Sequence, residues 1–307
     1  MAQKVIITAA VTGAVHVPSM TPYLPITPEQ IINDAVKAGE AGASVVHIHA
    51  RDPQTGRPTS NLDLMGEIIS GIKKRSDLVI CITTGGQLGM SLEERLAAVP
   101  AFRPELASCN AGSVNFVLSA AAEKIKQPKF DWEVPFLEGT YDLVFANTFK
   151  GLDYYISTMN QHGTRPEFEV YDVGMINNIA HFIKKGIAKK PVYIQFVMGI
   201  MGGIPATINN LSFLVKTAQE QLGEFEWSCA AAGRHQIPLT TAALAMGGNV
   251  RVGLEDNIFI KPGVLAKSSS EQVALIRGVA ESLGREIATS ADARAILGLK
   301  GLDQVNF

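Results

Sequence analysis

The stretch Ala43-Ser44-Val45-Val46-His47-Ile48-His49-Ala50-Arg51-Asp52 decides how this chain is read. Its β-branched apolar run predicts a strand buried on both faces, as in a parallel sheet covered by helices. Side chains on a strand alternate faces, so His47 and His49 point the same way. Two imidazoles at the far end of a buried strand can offer two metal nitrogens; two separately satisfied histidines would give the same pattern. Arg51-Asp52-Pro53 then ends the strand and opens a polar loop. An acidic pair, Glu255-Asp256, closes a similar run far downstream. Zinc accepts mixed His and carboxylate sets and keeps an open position when it is catalytic.

Outward from this stretch, strand-like and helix-like runs alternate along the chain. Apolar runs at 5–11, 45–49, 78–83, 106–110, 167–170, 192–198, 227–231 and 249–254 read as strands. Helical periodicity falls at 28–41, 62–74, from Ser91 onward, and at 176–185, 211–222, 240–246 and 270–283. Thr27-Pro28-Glu29-Gln30 supplies an N-cap, a proline at N1 and a glutamine at N3 for the first helix. Strands separated by helical crossovers are parallel, so the class is α/β. Eight such units predict a closed (β/α)8 barrel, a TIM barrel. An open doubly wound sheet is the alternative, but no Gly-x-Gly-x-x-Gly follows the first strand. Residues 117–150 exceed an ordinary βα loop and read as an insertion between strands four and five. Phe130, Trp132, Phe136 and Tyr141 are expected to pack that insertion against something. The domain expectation is one barrel over residues 1–307.

The bulk numbers agree with a large core. The chain has 307 residues, 47% hydrophobic and 18% charged, with a net charge of -2. A chain this long buries roughly three quarters of its unfolded surface. No basic block suggests nucleic acid, and no basic amphipathic helix suggests a membrane surface. The three cysteines, Cys81, Cys109 and Cys229, cannot form a closed disulfide set and read as small core residues. The apolar run at 5–11 is too short to span a bilayer and lacks a basic n-region, so a cytoplasmic protein is expected.

In a barrel, chemistry collects where the strands end on the C-terminal face. Those ends here are Thr12-Gly13-Ala14-Val15, His47 with His49, Thr83-Thr84-Gly85-Gly86, and Ser108-Cys109-Asn110-Ala111-Gly112. Glu167 and Glu169 follow at i, i+2, then Met198-Gly199-Ile200-Met201-Gly202-Gly203, and finally Arg251 with Glu255-Asp256. The set resembles the β-keto acid cleavage enzyme family, whose best-known type cleaves 3-keto-5-aminohexanoate. The resemblance is carried by 7–14, His47-Ile48-His49-Ala50-Arg51-Asp52, Thr83-Thr84-Gly85-Gly86, Asn110-Ala111-Gly112, 167–171, Gln195-Phe196-Val197 and 251–257. It covers nearly the whole chain apart from 117–150.

The resemblance implies a zinc-dependent barrel enzyme, usually a homotetramer. It implies that a β-keto acid and acetyl-CoA give acetoacetate and a new acyl-CoA, an acyltransferase reaction. Position by position, it makes His47, His49 and Glu255 the Zn2+ ligands and Asp256 the base that removes the C2 proton. Arg251 and Glu169 orient and tune that base. Thr83, Gly86 and Ser108 grip the substrate carboxylate and keto group, with Asn110 as a further contact. Glu255 and Asp256 are adjacent, so they can serve one site only if the strand ends and the chain turns there.

One position departs from the family. The amine-cleaving type carries a glutamate directly after Thr-Gly-Ala, where it binds the substrate ammonium; here Val15 occupies it. An apolar side chain cannot compensate a buried ammonium, so an amine tail is disfavoured. His16 could reach the same pocket and admit an anionic tail. Bland alternatives stand beside these roles: Glu255-Asp256 as a capping pair, Arg251 as an interior ion-pair residue, and Gly202-Gly203 as a turn rather than a nest for CoA phosphates. Arg234 could meet a CoA phosphate, and His235 could be a third imidazole or a surface group. At the level of the whole protein the rivals are a zinc hydrolase or aldolase on the same barrel, or a non-catalytic metal-binding assembly protein.

Overall fold

The computed structural model describes residues 4–85 and 90–307. Eight strands run in chain order around a closed barrel: β1 (Ile7–Ala10), β2 (Val45–Ile48), β3 (Val79–Ile82) and β4 (Leu106–Asn110), then β5 (Arg165–Val170), β6 (Val192–Met198), β7 (Phe225–Ala231) and β8 (Asn249–Val252). Every neighbouring pair is parallel, and β8 pairs back onto β1. All eight C-terminal ends therefore open on one face, as the strand count predicted.

The outer layer holds α1 (Pro28–Ala41), α2 (Leu62–Arg75), α3 (Leu92–Leu96) and α4 (Ala98–Phe102). It continues with α5 (Glu133–Gly139), α6 (Phe149–Gln161), α7 (Gly174–Lys184) and α8 (Ile208–Leu222). The last three are α9 (Gln236–Ala245), α10 (Ser269–Ser282) and α11 (Ser290–Leu297). The capping box at Thr27 and Gln30 forms, with Pro28 in the first turn. Among the described residues, no helix is long and apolar enough to cross a membrane.

Several boundaries differ from the sequence reading, each for a local reason. The β4–β5 crossover is α6, whose Leu152, Tyr155, Ile156 and Met159 form a buried stripe at helical spacing; this helix was not anticipated, because its start lies inside the stretch read as an insertion. The helix after Ser91 breaks into α3 and α4 and stops at Arg103, which is left-handed with φ 46°. Helix α9 begins at Gln236 rather than 240, since Pro238 in the first turn forfeits no helical hydrogen bond. Strand β8 stops at Val252, not 254. Gly253 has φ +148° and lies so close to the Ala10 backbone that a Cβ would collide with it. The three cysteines are buried and unbridged, as expected.

The barrel interior changes character from bottom to top. Ile6, Val45, Val79 and Leu106 form an apolar floor, and Ala293 and Leu297 of α11 pack into it. Above them the buried side chains are polar, including Thr8, His47, Glu167, Gln195, Ser228 and Arg251. The segment 111–148 crosses the mouth. Its ribbon pairs Val114–Asn115 with Val144–Phe145, and Leu137 of α5 packs with Val17 and Ala122. Trp132 and Phe136 join that cluster, whereas Tyr141 is 79% exposed.

Arg51, two residues after His49, is fully buried and clamps the loop that follows β1. Its guanidinium donates to Thr12 Oγ1 and to the carbonyls of Thr12, Gly13, His16 and Gly56, at 2.8–3.0 Å. The loop is thereby fixed against Glu255: a Cβ on Gly13, which has φ +59°, would overlap the Glu255 side chain. Replacing Arg51 with methionine leaves these buried acceptors unpaired, and chemical denaturation should show a loss of about 3 kcal/mol or more. A loss under about 1 kcal/mol would show that water or a shifted loop satisfies them.

Candidate active site

A cavity of about 440 Å³ opens at the C-terminal mouth of the barrel. Its floor carries His47, His49, Asn110, Arg251, Glu255 and Asp256, and its roof carries Phe116, Phe136, Leu143 and Phe145 from the 111–148 segment. His47 sits on β2 and His49 just beyond it, one pleat apart. Their Nε2 atoms lie 3.2 Å apart. Glu255 Oε1 is 3.7 Å from the first and 3.5 Å from the second. All three side chains are buried.

The turn set by Gly253 resolves the problem of the adjacent acids. Residues 253–256 leave the strand, so Glu255 and Asp256 both face Arg251. Arg251 donates to Asp256 in bidentate fashion, from Nε at 2.8 Å and Nη2 at 2.9 Å. The same Nη2 donates to Glu255 Oε1 at 2.6 Å. Nη1 donates to Gln195 at 2.9 Å and to Glu169 at 3.4 Å. Three carboxylates thus share one guanidinium.

That crowding sets the protonation balance. Burial disfavours the Arg251 charge, yet Asp256 and Glu255 outweigh it and raise its pKa well above the usual range. Burial works against ionised Glu255 too, but Arg251 and the two imidazoles hold it well below the ordinary carboxylate value. Asp256 is pushed up to about 6 by burial, with Arg251 acting against the rise. Glu169 is pushed up to about 8 for the same reason, and Tyr171 donates to its Oε2 at 3.3 Å. Deeper in the barrel, burial raises Glu167 to about 7.

A divalent cation fits this donor set. Two imidazoles and one carboxylate suit zinc, and each offers a donor atom within 4.8 Å of the others. The 3.2 Å nitrogen spacing is close to the roughly 3.3 Å between tetrahedral ligands about 2.05 Å from a common centre. Glu255 Oε2 is buried without a hydrogen-bond partner among the described residues. One guanidinium cannot balance three carboxylates, so a further positive charge has a place here.

The remaining anticipated residues fall in different positions. Asn110 lines the cavity, and both its amide atoms are buried without partners among the described residues, as suits a ligand contact. Thr83 and Val15 line the cavity as well. Ser108 is not among the lining residues; its hydroxyl accepts from Thr84 N at 3.0 Å and ties β4 to the end of β3. Gly86 lies outside the described residues. His16 does not line the cavity and donates from Nδ1 to the Leu254 carbonyl at 2.9 Å. Arg234 is exposed and donates to His235, and neither lines the cavity. Gly202 belongs to a turn pressed against the Asn115 carbonyl. Sequence reasoning gave no role to Gln195, Tyr171 or Arg95. Tyr171 continues the i, i+2 pattern of Glu167 and Glu169, and Gln195 pairs with Glu169 across β5 and β6.

Comparison with known proteins places the chain in a family. The family model described as beta-keto acid cleavage enzyme matches residues 4–299. The chain is 48% identical over 306 residues to a 3,5-dioxohexanoate:acetyl-CoA acetone transferase of Paraburkholderia graminis, covering 99% of both. It is 37% identical over 298 residues to a 3-keto-5-aminohexanoate cleavage enzyme of Acetoanaerobium sticklandii, covering 97% of this chain and 99% of that one. Among solved structures, ObcA in a binary complex with oxaloacetate superimposes with a TM-score of 0.75 at 24% identity, over 92% of this chain and 68% of that one. Apo ObcA gives 0.72 at 24% identity, over 91% of this chain and 66% of that one, and both likenesses concern the fold. With a match over nearly its whole length and relatives that share that full length, the chain belongs to the β-keto acid cleavage enzyme family.

Proposed function

We propose that this protein cleaves a β-keto acid with acetyl-CoA, giving acetoacetate and a new acyl-CoA, and that its substrate tail is not an amine. The observation that carries the reading is the joint placement of His47, His49 and Glu255 beside an Arg251–Asp256 pair in one cavity. Family membership supports the reaction class, and the acetyl-CoA-dependent activity of the Paraburkholderia graminis relative supports acetyl-CoA as the second substrate. His47, His49 and Glu255 are the proposed ligands of a Zn2+ ion. When bound, zinc would supply a Lewis acid that stabilises negative charge developing on substrate oxygen.

The chain's own residues account for the rest. Asp256 Oδ removes a proton from C2, between carboxylate and ketone; it must lie within hydrogen-bond reach of that carbon. Arg251 holds both oxygens of Asp256 and so fixes its approach, with Glu169 and Gln195 fixing Arg251 in turn. The C2 carbanion adds to the acetyl thioester carbonyl, and the thiolate of CoA leaves. That thiolate then attacks the C3 ketone, the C2–C3 bond breaks to release the new acyl-CoA, and Asp256 returns its proton to the C2 carbanion to give acetoacetate. Thr83, Ser108, Gly86 and Asn110 are the proposed substrate contacts, Ser108 acting through the Thr84 backbone. Residues 117–150 are the proposed insertion in a single barrel over 1–307, excluding water from the mouth. A homotetramer, on the strength of the family resemblance, and a cytoplasmic location, on the short apolar run at 5–11, complete the proposal.

Val15 supports a neutral or apolar tail, because no carboxylate follows Ala14 to meet an ammonium. With zinc-loaded protein, acetyl-CoA and a panel of β-keto acids, acetoacetate should form only when both substrates are present. A 3-keto-5-aminohexanoate tail should turn over at least about 10-fold less well than a neutral one. Product without CoA would replace this reading with an aldolase or hydrolase. Equal turnover of amine and neutral tails would remove the role given to Val15.

Metal binding and proton removal should separate by mutation. His49→Ala should weaken zinc by about 100-fold or more in competition with a chelator. Asp256→Asn should keep zinc and lose about 10³-fold in kcat/KM. Full activity in the Asp256→Asn variant would point to a purely structural metal.

A further inference from the structure

Below the proposed metal triad the barrel holds a second group of buried polar side chains. A ring nitrogen of His47, the Cys81 thiol and a Glu167 carboxylate oxygen lie within 4.8 Å of one another. His47 and Cys81 are register partners across β2 and β3, and Glu167 reaches them from β5. Glu167 Oε1 accepts from Cys81 Sγ at 3.6 Å. Two atoms of the group are buried without a partner among the described residues: His47 Nδ1 and Glu167 Oε2. Each such orphan weakens the fold unless something meets it. The His47 nitrogen that faces His49 and Glu255 is Nε2, so a cation held there leaves the ring proton on Nδ1. Metal-bound imidazoles nearly always donate that second N–H to a carboxylate, carbonyl or water, which fixes the ring and raises its basicity.

The groups around Glu167 leave its second oxygen open. Arg251 favours the ionised carboxylate, but all five of its N–H groups are committed elsewhere. Nε serves Asp256, Nη1 serves Glu169 and Gln195, and Nη2 serves Glu255 and Asp256. Glu255 and Glu169 are like charges and repel it. Tyr193, its register partner on β6, also favours the ionised form, yet the Tyr193 hydroxyl is itself buried without a bond among the described residues. A carboxylate offers about four lone-pair sites, so neither Cys81 nor Tyr193 exhausts it. The proposed zinc lies across the His47 ring, a positive charge that a carboxylate behind the ring complements. A second cation on His47, Cys81 and Glu167 is the competing use of the group. It requires both nitrogens of one imidazole to bind metal, together with a thiolate that burial disfavours.

We infer that Glu167 is a positioning residue for the metal site: its Oε2 accepts from His47 Nδ1–H and holds the ring with Nε2 toward the cation. The inference rests on the zinc site of the cleavage reading above. It gives Glu167 a signature that a prop for the barrel lacks. A buried carboxylate with so few donors adds little to the stability of the fold, so its removal spares the metal-free barrel and weakens the loaded one.

Chelator competition should give one zinc per chain in the wild type, with zinc bound about 10-fold more weakly by Glu167→Gln and about 100-fold more weakly by Glu167→Leu. Glutamine keeps an acceptor for Nδ1–H and leucine does not. Metal-free Glu167→Gln should unfold at the wild-type temperature or above it. In zinc-loaded protein with isotope-labelled histidine, the Nδ1–H proton of His47 should resonate far downfield in the wild type and move upfield in Glu167→Gln. Zinc affinity within about 2-fold of wild type in both variants would overturn the inference. Loss of metal-free stability in step with loss of zinc would overturn it too and make Glu167 a prop. Two zinc ions per chain, one of them lost in Cys81→Ser, would assign the group to a second metal instead. A wild type that binds no zinc removes the cleavage reading and this inference together; a wild type that binds zinc confines any failure to Glu167.

Discussion

Three carboxylates gathered on one buried guanidinium set the terms for the rest of this molecule. Arg251 meets Glu169, Glu255 and Asp256 where little water can screen them. A cluster with that excess of negative charge persists only if some acids hold protons or another cation arrives. The upward shifts of Asp256 and Glu169 express the first solution, and the imidazole pair beside Glu255 provides for the second.

Rigid surroundings make such a cluster tolerable. The parallel barrel delivers Glu169, Arg251 and the histidines to one rim, each from a strand hydrogen-bonded on both sides. Gly253 and Gly13 allow the backbone to pass within reach of Ala10 and Glu255, spaces that a side chain would fill. Arg51 fixes the β1 loop on the other flank. Because four of its five bonds run to backbone carbonyls and the fifth to the Thr12 hydroxyl, the clamp holds mainly main-chain shape. The floor of α11 against the barrel bottom keeps water out from below, and the 111–148 segment covers the top. Exclusion of water strengthens every charge interaction inside.

The cavity is chemically lopsided, with ionised groups and a metal-ready triad at the floor and aromatic and aliphatic groups at the roof. A ligand charged at one end and plain at the other suits such a shape. Val15 keeps the β1 side of the cavity apolar, and Arg95 is the exception in the upper wall.

Much of this was legible from residue order. Long apolar runs at regular spacing fixed eight parallel strands, because strands buried on both faces need no alternation. Alternation of side chains placed His47 with His49 and Glu167 with Glu169, since that follows from the pleat alone. Other features were not legible. Helix α6 has a clear buried stripe, yet its start merges with a cap segment whose fold depends on what it lies against. Glu255 and Asp256 share a site only because Gly253 bends the chain at the Ala10 backbone, a contact between residues more than 240 positions apart. Glu167 was legible only as the pleat partner of Glu169; its place behind His47 comes from strands that meet when the barrel closes. Sequence determined which side chains share a face, a matter of local periodicity; tertiary structure decided which charges meet and which stay unpaired, because burial and distance are properties of the closed barrel.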